Sequence, residues 1–457
     1  MNMNYKCICL FLFLPIGATA FADDFKAGVG RKAITPDNPA WLAGYAIRTK
    51  PAEGVEHDLW AKAIAIESGK NETVVIVTTD LLGLSHEISV EVANQVKQKL
   101  GIKRSNLMFN SSHTHCGPMV WPSLSVIADY GVADQQAVSK YNQKLTADLV
   151  AVIEMALNNL KPVKLYSGMG SVGFAKNRRQ KTDHGVVGGW NDSGPVDHEV
   201  PVLKFETADG NVQAVLFAYA CHNTTVPGTN YRINGDYAGY AQIELEKEFP
   251  GAAAMFLMGC GGDQNPFPRG TLELAATHGK ELADEVKRVL SENLKQAEPS
   301  ILTAYTIVDL EFKEAEIKKF QEDLRSDNVF LQRRAKLMVE AYNKSWNVSR
   351  YPYPVQAIRL SKDITILALA GEAVVDYSIL VKKIYGRKNV IVVGYSNEVM
   401  CYIPTKRILA EGGYEADQSM IYYGMKGPFK ENVEEKILSA IEFVMKKTKN
   451  KRRPKSI

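Results

Sequence analysis

Short, continuously apolar runs alternate along this chain with amphipathic stretches of helical period, so strands and helices are predicted in alternation. The runs 106–110, 200–205, 212–220, 364–370 and 389–393 read as strands. The stretch 87–100 repeats apolar residues at helical spacing between Ser85, which favours a helix start, and Gly101, which favours a stop. A second such stretch covers 137–160, and a helix is expected over 374–383. The pattern predicts an α/β fold of mixed sheets with flanking helices, as one large domain or two joined lobes. No internal repeat is found.

Four of the strand runs stop on a residue able to hold a metal. The run 106–110 leads into Ser-Ser-His113-Thr-His115, 212–220 into Cys221-His222, 364–370 into Gly371-Glu372, and 389–393 towards Tyr402. Ligand sites of open α/β sheets gather beyond the carboxyl ends of strands, so these residues can meet in one pocket. Two imidazoles, a carboxylate and a phenol suit Zn²⁺, which takes nitrogen and oxygen ligands and keeps one position open in catalytic sites. Each residue also has an ordinary use: a lone His at a strand end serves as a hydrogen-bonding group, and Glu372 caps a following helix. His113-Thr-His115 is the stronger signal, because residues two apart on an extended segment project to one side.

Composition fits a globular enzyme, with 46% apolar and 23% charged residues in 457. Lys6 followed by the apolar run 8–22, with small residues for cleavage after Ala20 or Ala22, predicts a signal peptide over 1–22 and a periplasmic or secreted product. No later segment is long and apolar enough to span a membrane. The formal charge is +4, yet Lys446, Lys447, Lys449, Lys451, Arg452, Arg453, Lys455 and Lys6 supply eight positive charges, and the body without them carries −4. A basic, disordered tail over 446–457 is therefore expected, and no nucleic-acid surface. Domain boundaries follow as 1–22, 23–445 and 446–457.

Polar loops complete the reading. The segment 176–198, with Asn177, Arg178, Trp190 and Asp192, has too little periodicity for a regular element, and 224–236 follows His222. Arg178 suits an oxygen-rich group or an ion pair, and Trp190 a loop anchor or a stacking platform for a sugar. Asp80 and Asp263 are candidates to orient ligating imidazoles, or turn and helix caps. Cys116, Cys221, Cys260 and Cys401 read as small buried side chains at strand ends in preference to disulfides.

At these residues the chain resembles the neutral, non-lysosomal ceramidase family. The shared motifs run Gly28-Val-Gly-Arg-Lys-Ala-Ile-Thr35, Asn110-Ser-Ser-His-Thr-His-Cys-Gly-Pro118, Asn177-Arg178, Val196-Asp197, His222, Gly235-Asp236, Gly262-Asp263, Gly371-Glu372, Tyr402 and Tyr414-Glu415. The resemblance implies one zinc per chain on His113, His222, Glu372 and Tyr402. It further implies that His115, Arg178 and Tyr414 act on the substrate carbonyl or the water. Where the family's ceramidases carry Gly-Asp-X-Ser-Pro, this chain reads Gly262-Asp263-Gln264-Asn265-Pro266, so Asn265 cannot be a nucleophile and its effect is expected on substrate choice. The chain is also expected to lack the family's additional carboxyl-terminal domain. The function expected is zinc-dependent hydrolysis of an acyl bond, an amide before an ester, in a lipid substrate contacted by Asn265, Asn177 and Trp190. The alternatives are a glycan-derived or amino-sugar substrate at the same metal site, and a non-catalytic binding protein.

Overall fold

Alternate side chains of the central strands enter two different cores, which is why these strands read as continuous apolar runs. In the computed structural model, Ala61, Ala63 and Ala65 of the strand Trp60–Ser68 face one apolar cluster while Ile64 and Ile66 face another. Val75 and Val77 of Glu72–Thr79 join the first cluster, and Val74 and Ile76 the second. The structure describes residues 25–449 apart from 70, 71, 121 and 123, so the expected signal peptide and positions 450–457 of the expected tail lie outside the described residues.

The larger sheet has nine strands and is mixed. Its path runs from Ala253–Met258 through Val212–Tyr219, Glu199–Thr207, Lys161–Ser171, Phe25–Ala33, Trp60–Ser68 and Glu72–Thr79 to Leu107–Ser111. The two edge strands pair in parallel with their neighbours, and the steps between are antiparallel. Helices His86–Leu100 and Val132–Asn158 cover half of the outer face, and Asp236–Glu248 and Leu272–Leu290 the other half. The inner face packs on a four-stranded sheet of Leu302–Glu311, Arg350–Ser361, Ile364–Leu369 and Val390–Val393. That sheet is backed by helices Val375–Tyr385 and Val433–Lys447. The expected α/β class with mixed sheets and flanking helices is thus what the chain forms.

One closure positions everything functional. The larger sheet curls until its edge strands meet, where Met258 N donates to Asn110 Oδ1 at 2.7 Å. The smaller sheet enters at the same point: Asn110 Nδ2 donates to Gly394 O at 2.8 Å, and isolated bridges join Asn110 to Ser396 and Gly259 to Val393. Strand ends from both sheets therefore converge beside Asn110.

The first helix keeps its expected limits: Ser85 accepts from Ile88 N, and Gly101 takes the left-handed φ of 73°. The stretch expected at 137–160 begins earlier, at Val132, because its first turn carries an exposed valine that shows no apolar period. The last helix runs through Lys447, which corrects the boundary of the expected tail. Ile441, Val444 and Met445 are buried in this last stretch, each contributing about 1.5–3 kcal/mol, and they hold Lys446 and Lys447 on an ordered turn.

Candidate metal centre

Two residues beyond the strand Leu107–Ser111 the chain turns through His113, whose φ of 64° is strained for a residue with a Cβ by roughly 1–3 kcal/mol. Two hydrogen bonds hold it there: His113 N donates to Leu81 O at 2.9 Å and Nδ1 to Leu82 O at 2.7 Å. His222 follows Val212–Tyr219 in the same style, with N donating to Gln264 O at 3.0 Å and Nδ1 to Gly261 O at 2.7 Å. A carbonyl only accepts, so each Nδ1 carries the hydrogen and each Nε2 presents a lone pair.

Glu372 and Tyr402 arrive together, because Glu372–Ala373 and Tyr402–Ile403 form a short parallel ladder. The turn before Glu372 requires glycine: Gly371 has φ 65°, and a Cβ there would stand 2.7 Å from Cys401 O. Glu372 Oε2 lies 3.1 Å from His113 Nε2 and 3.0 Å from His222 Nε2, and Tyr402 Oη lies 3.0 Å from His222 Nε2. All four side chains are nearly fully buried. Burial alone would raise Glu372, but the two rings outweigh it and hold its carboxyl well below the usual range. Burial, then the neighbouring Arg178, brings His222 down to about 4. An ionised carboxylate and two imidazole lone pairs at this spacing repel one another unless a proton or a cation lies between them. The donor set and its convergence therefore fit a metal ion.

His115 completes a group of three imidazoles whose donor atoms lie within 4.8 Å of one another. It differs from the other two. Its Nδ1 is buried without a partner, facing Gly44, while its Nε2 stands 3.2 Å from His113 Nε2. Burial, then the two other rings, keeps it neutral well below its ordinary value.

Arg178 reaches the centre from the short strand pair Ala175–Asn177 and Gln264–Pro266. Its Nη2 donates to Tyr402 Oη at 3.0 Å, Nε to Glu415 Oε1 at 2.8 Å and Nη1 to Asn265 Oδ1 at 3.3 Å. Burial works against its charge, but Tyr402 and Glu415 hold its value well above the ordinary one, so it is a permanent cation. Tyr414 lies against the Tyr402 ring at 5.4 Å on the partly exposed rim, its phenol raised by desolvation and by Glu372.

The remaining residues singled out in the sequence are held as follows. Asn177 is buried with its amide engaged: Nδ2 donates to Pro195 O and Asp263 Oδ2, and Oδ1 accepts from Arg179 N. It braces the loop and does not line the cavity at the centre. Trp190 packs edge-on to Phe267, with centroids 4.8 Å apart, and is not among the cavity's lining residues either. Asp80 and Asp263 orient no imidazole. Asp80 accepts from Trp60 N and Gln242 Nε2, and Asp263 from Val375 N and Asn177 Nδ2; the backbone carbonyls of Leu82 and Gly261 take the orienting role instead. The loop 176–198 contains a hairpin, Arg179–Thr182 with Gly185–Gly188, whose four-residue strands carry no apolar alternation. Cys116, Cys221, Cys260 and Cys401 are free, buried thiols.

Sequence reasoning missed the segment 44–46 and the pair Tyr422-Tyr423. Together with Leu82, His115, Leu124, Ile127, Glu372, Tyr402 and Tyr414 they line a cavity of about 210 Å³ that opens onto the centre. Tyr423 Oη donates to Glu372 Oε1. The doubled tyrosine eight and nine positions beyond Tyr414 was the available signal.

Residues 25–258 match the family model described as neutral/alkaline non-lysosomal ceramidase, N-terminal. The neutral ceramidase of Pseudomonas aeruginosa is 27% identical over 273 residues, 57% of this chain and 39% of that protein. Neutral ceramidase B of Dictyostelium discoideum is 26% identical over 300 residues, 58% of this chain and 41% of that protein. The chain thus aligns with about two fifths of the length of these curated relatives. The crystal structure of the Pseudomonas aeruginosa neutral ceramidase superposes with a TM-score of 0.69 at 19% identity, covering 90% of this chain and 72% of that one. At that identity the likeness speaks for the fold.

Proposed function

The chain belongs to the neutral/alkaline non-lysosomal ceramidase family, and from that premise we propose that it is an exported hydrolase of acyl amides, using one zinc ion held by His113, His222, Glu372 and Tyr402. The carrying observation is the approach of Glu372 Oε2 to the Nε2 atoms of both His113 and His222, whose Nδ1 atoms are fixed on carbonyls. Ligating histidines almost always donate their second ring nitrogen in this way. His115 lacks such an anchor, which separates it from the ligands although it stands as close.

Zinc in such a site supplies Lewis acidity and brings the pKa of water to roughly 7. The chain's own groups do the rest. His115, neutral and not anchored through Nδ1, presents its Nε2 at the centre, 3.2 Å from His113 Nε2, where it is placed to exchange a hydrogen bond with a substrate oxygen. Arg178 is a fixed cation beside Tyr402: burial raises that phenol well above its ordinary value, Arg178 opposes the rise, and the same charge favours a negative acyl oxygen. Tyr414 holds its proton and donates from the rim. Donors placed in advance where charge develops are worth several kcal/mol in a site that excludes water. Leu82, Leu124 and Ile127 provide the apolar wall.

That wall favours an N-acyl lipid such as the ceramide named in the relatives. The amino-sugar alternative rests on Asn265 and on the polar loop residues Trp190 and Asp192. Trp190 packs on Phe267 and Asp192 pairs with Lys176, whereas Asn265 stays beside the centre on Arg178, so the substrate panel decides between the two classes. Among the described residues no helix is long and apolar enough to cross a membrane. The test is a panel of N-acyl lipids, N-acyl amino sugars and simple esters, with chelated protein as control. Release of fatty acid from ceramide supports the reading, turnover of sugar derivatives alone moves the substrate class, and no turnover with metal present favours a binding role.

A further inference from the structure

Glu372 divides its carboxylate between two environments. Oε2 faces the His113 and His222 nitrogens, whereas Oε1 turns away and accepts from Tyr423 Oη. We propose that Tyr423 is a positioning residue of the metal centre, whose hydroxyl occupies Oε1 and so restricts Glu372 to binding the metal through Oε2 alone. This rests on the ligand assignment above.

The physical argument starts from the freedom of a carboxylate. Its two oxygens are equivalent, and rotation about the last side-chain bond exchanges them or brings both onto one cation. With His113, His222 and Tyr402 as the other ligands, four positions are filled even when Glu372 gives one oxygen, so a fifth position stays open to water or substrate only if Glu372 does not take it with its second oxygen. The other candidate ligands are restrained already, His113 and His222 through Nδ1 and Tyr402 through Arg178. Glu372 is the one ligand whose second atom would otherwise be free, and the Tyr423 hydroxyl is the group that engages it.

Tyr423 is itself well fixed. The turn Gln418–Ile421 precedes it, Gly424 follows with φ 65°, and Met425 N donates back to Met420 O at 3.0 Å. Its ring forms a wall between the cavity at the centre and a second cavity of about 340 Å³ lined by His86, Met400 and Met425. Tyr423→Phe therefore preserves the ring and the wall and removes only the hydroxyl.

The experiment measures zinc affinity by chelator competition, and kcat and KM at saturating zinc, for wild type, Tyr423→Phe and a control, Tyr351→Phe. The control also removes a part-buried tyrosine–carboxylate hydrogen bond, Tyr351 Oη to Glu398 Oε1 at 2.7 Å, on a carboxylate that is not a candidate ligand. Tyr423→Phe should weaken zinc binding 10- to 100-fold and lower kcat with little change in KM, while Tyr351→Phe retains wild-type affinity. Affinity of Tyr423→Phe within twofold of wild type overturns the proposal, whether or not kcat falls, and so does an equal loss in the control. A wild-type protein that binds no zinc would instead refute the ligand assignment itself.

Discussion

Glu372 and Tyr402 are register partners in a two-residue parallel ladder, so a carboxylate and a phenol distant in sequence reach the centre side by side. From Tyr402, the guanidinium of Arg178 is one hydrogen bond away, and the ring of Tyr414 lies 5.4 Å off. Two neighbouring phenols thus occupy different positions: one among the candidate ligands, one on the rim.

Their phenylalanine variants should differ accordingly. Tyr414→Phe should keep zinc content and substrate binding while kcat falls on the order of 10², the usual loss when a transition-state donor is removed. Tyr402→Phe should weaken zinc retention. Alanine variants of His115 and Arg178 should group with Tyr414, keeping zinc and losing turnover. Metal analysis and steady-state rates check all four, and wild-type zinc and kcat in both phenylalanine variants would remove the tyrosines from the mechanism.

The histidine ligands give a second prediction. His113→Ala or His222→Ala should lose zinc and activity together, since the remaining groups must compete with water for an incompletely coordinated ion. Full zinc occupancy in both variants would place the site elsewhere.

Stability of the metal-free protein should depend on pH in a definite direction. His222 titrates at about 4 in the folded protein against 6.5 as the ordinary value, burial being the main cause and Arg178 the next. Between these values the unfolded chain takes up a proton that the folded chain refuses, so stability rises with pH from about 4 to 6.5 and this contribution levels off above. The gap corresponds to about 3 kcal/mol, and His115 adds in the same direction. Urea unfolding of metal-free wild type and His222→Gln across this range checks it: the variant should show the shallower rise, and identical slopes would contradict the assignment.

How much of this was legible follows from what each residue does locally. The strand runs and the helix between Ser85 and Gly101 were readable because period and caps are properties of neighbouring positions. His113, His222, Glu372 and Tyr402 were readable as strand-end residues. The closure that brings them together was not, because it depends on Asn110 reaching Met258 and Gly394, contacts between segments far apart in the chain. Tyr423 and Gly44 escaped for the same reason: each matters through one distant partner, Glu372 and His115. A polar loop shows which residues it holds and not which way they face, so the bond of Asn177 to Asp263 and the packing of Trp190 on Phe267 were not legible.

Asn265 should tune recognition and leave the chemistry intact. Its Oδ1 accepts from Arg178 Nη1 and Thr224 Oγ1, each at 3.3 Å, so it sits beside the cationic group and outside the candidate ligand set. Asn265→Ala should keep measurable hydrolysis with the main loss in KM or discrimination, and Asn265→Ser should improve ceramide turnover relative to other amides. Competition assays between ceramide and a second N-acyl lipid read the ratio directly. A covalent adduct trapped on any side chain would contradict attack by water.

The claim that the convergent His113, His222, Glu372 and Tyr402 cluster holds a zinc ion used in amide hydrolysis is tested most directly by titrating metal-free protein with zinc while following fatty-acid release from an N-acyl lipid. Activity should be absent at the start, rise linearly and saturate at one zinc per chain. Hydrolysis that is already complete in the metal-free protein, or that stays absent after one equivalent has bound, would contradict it.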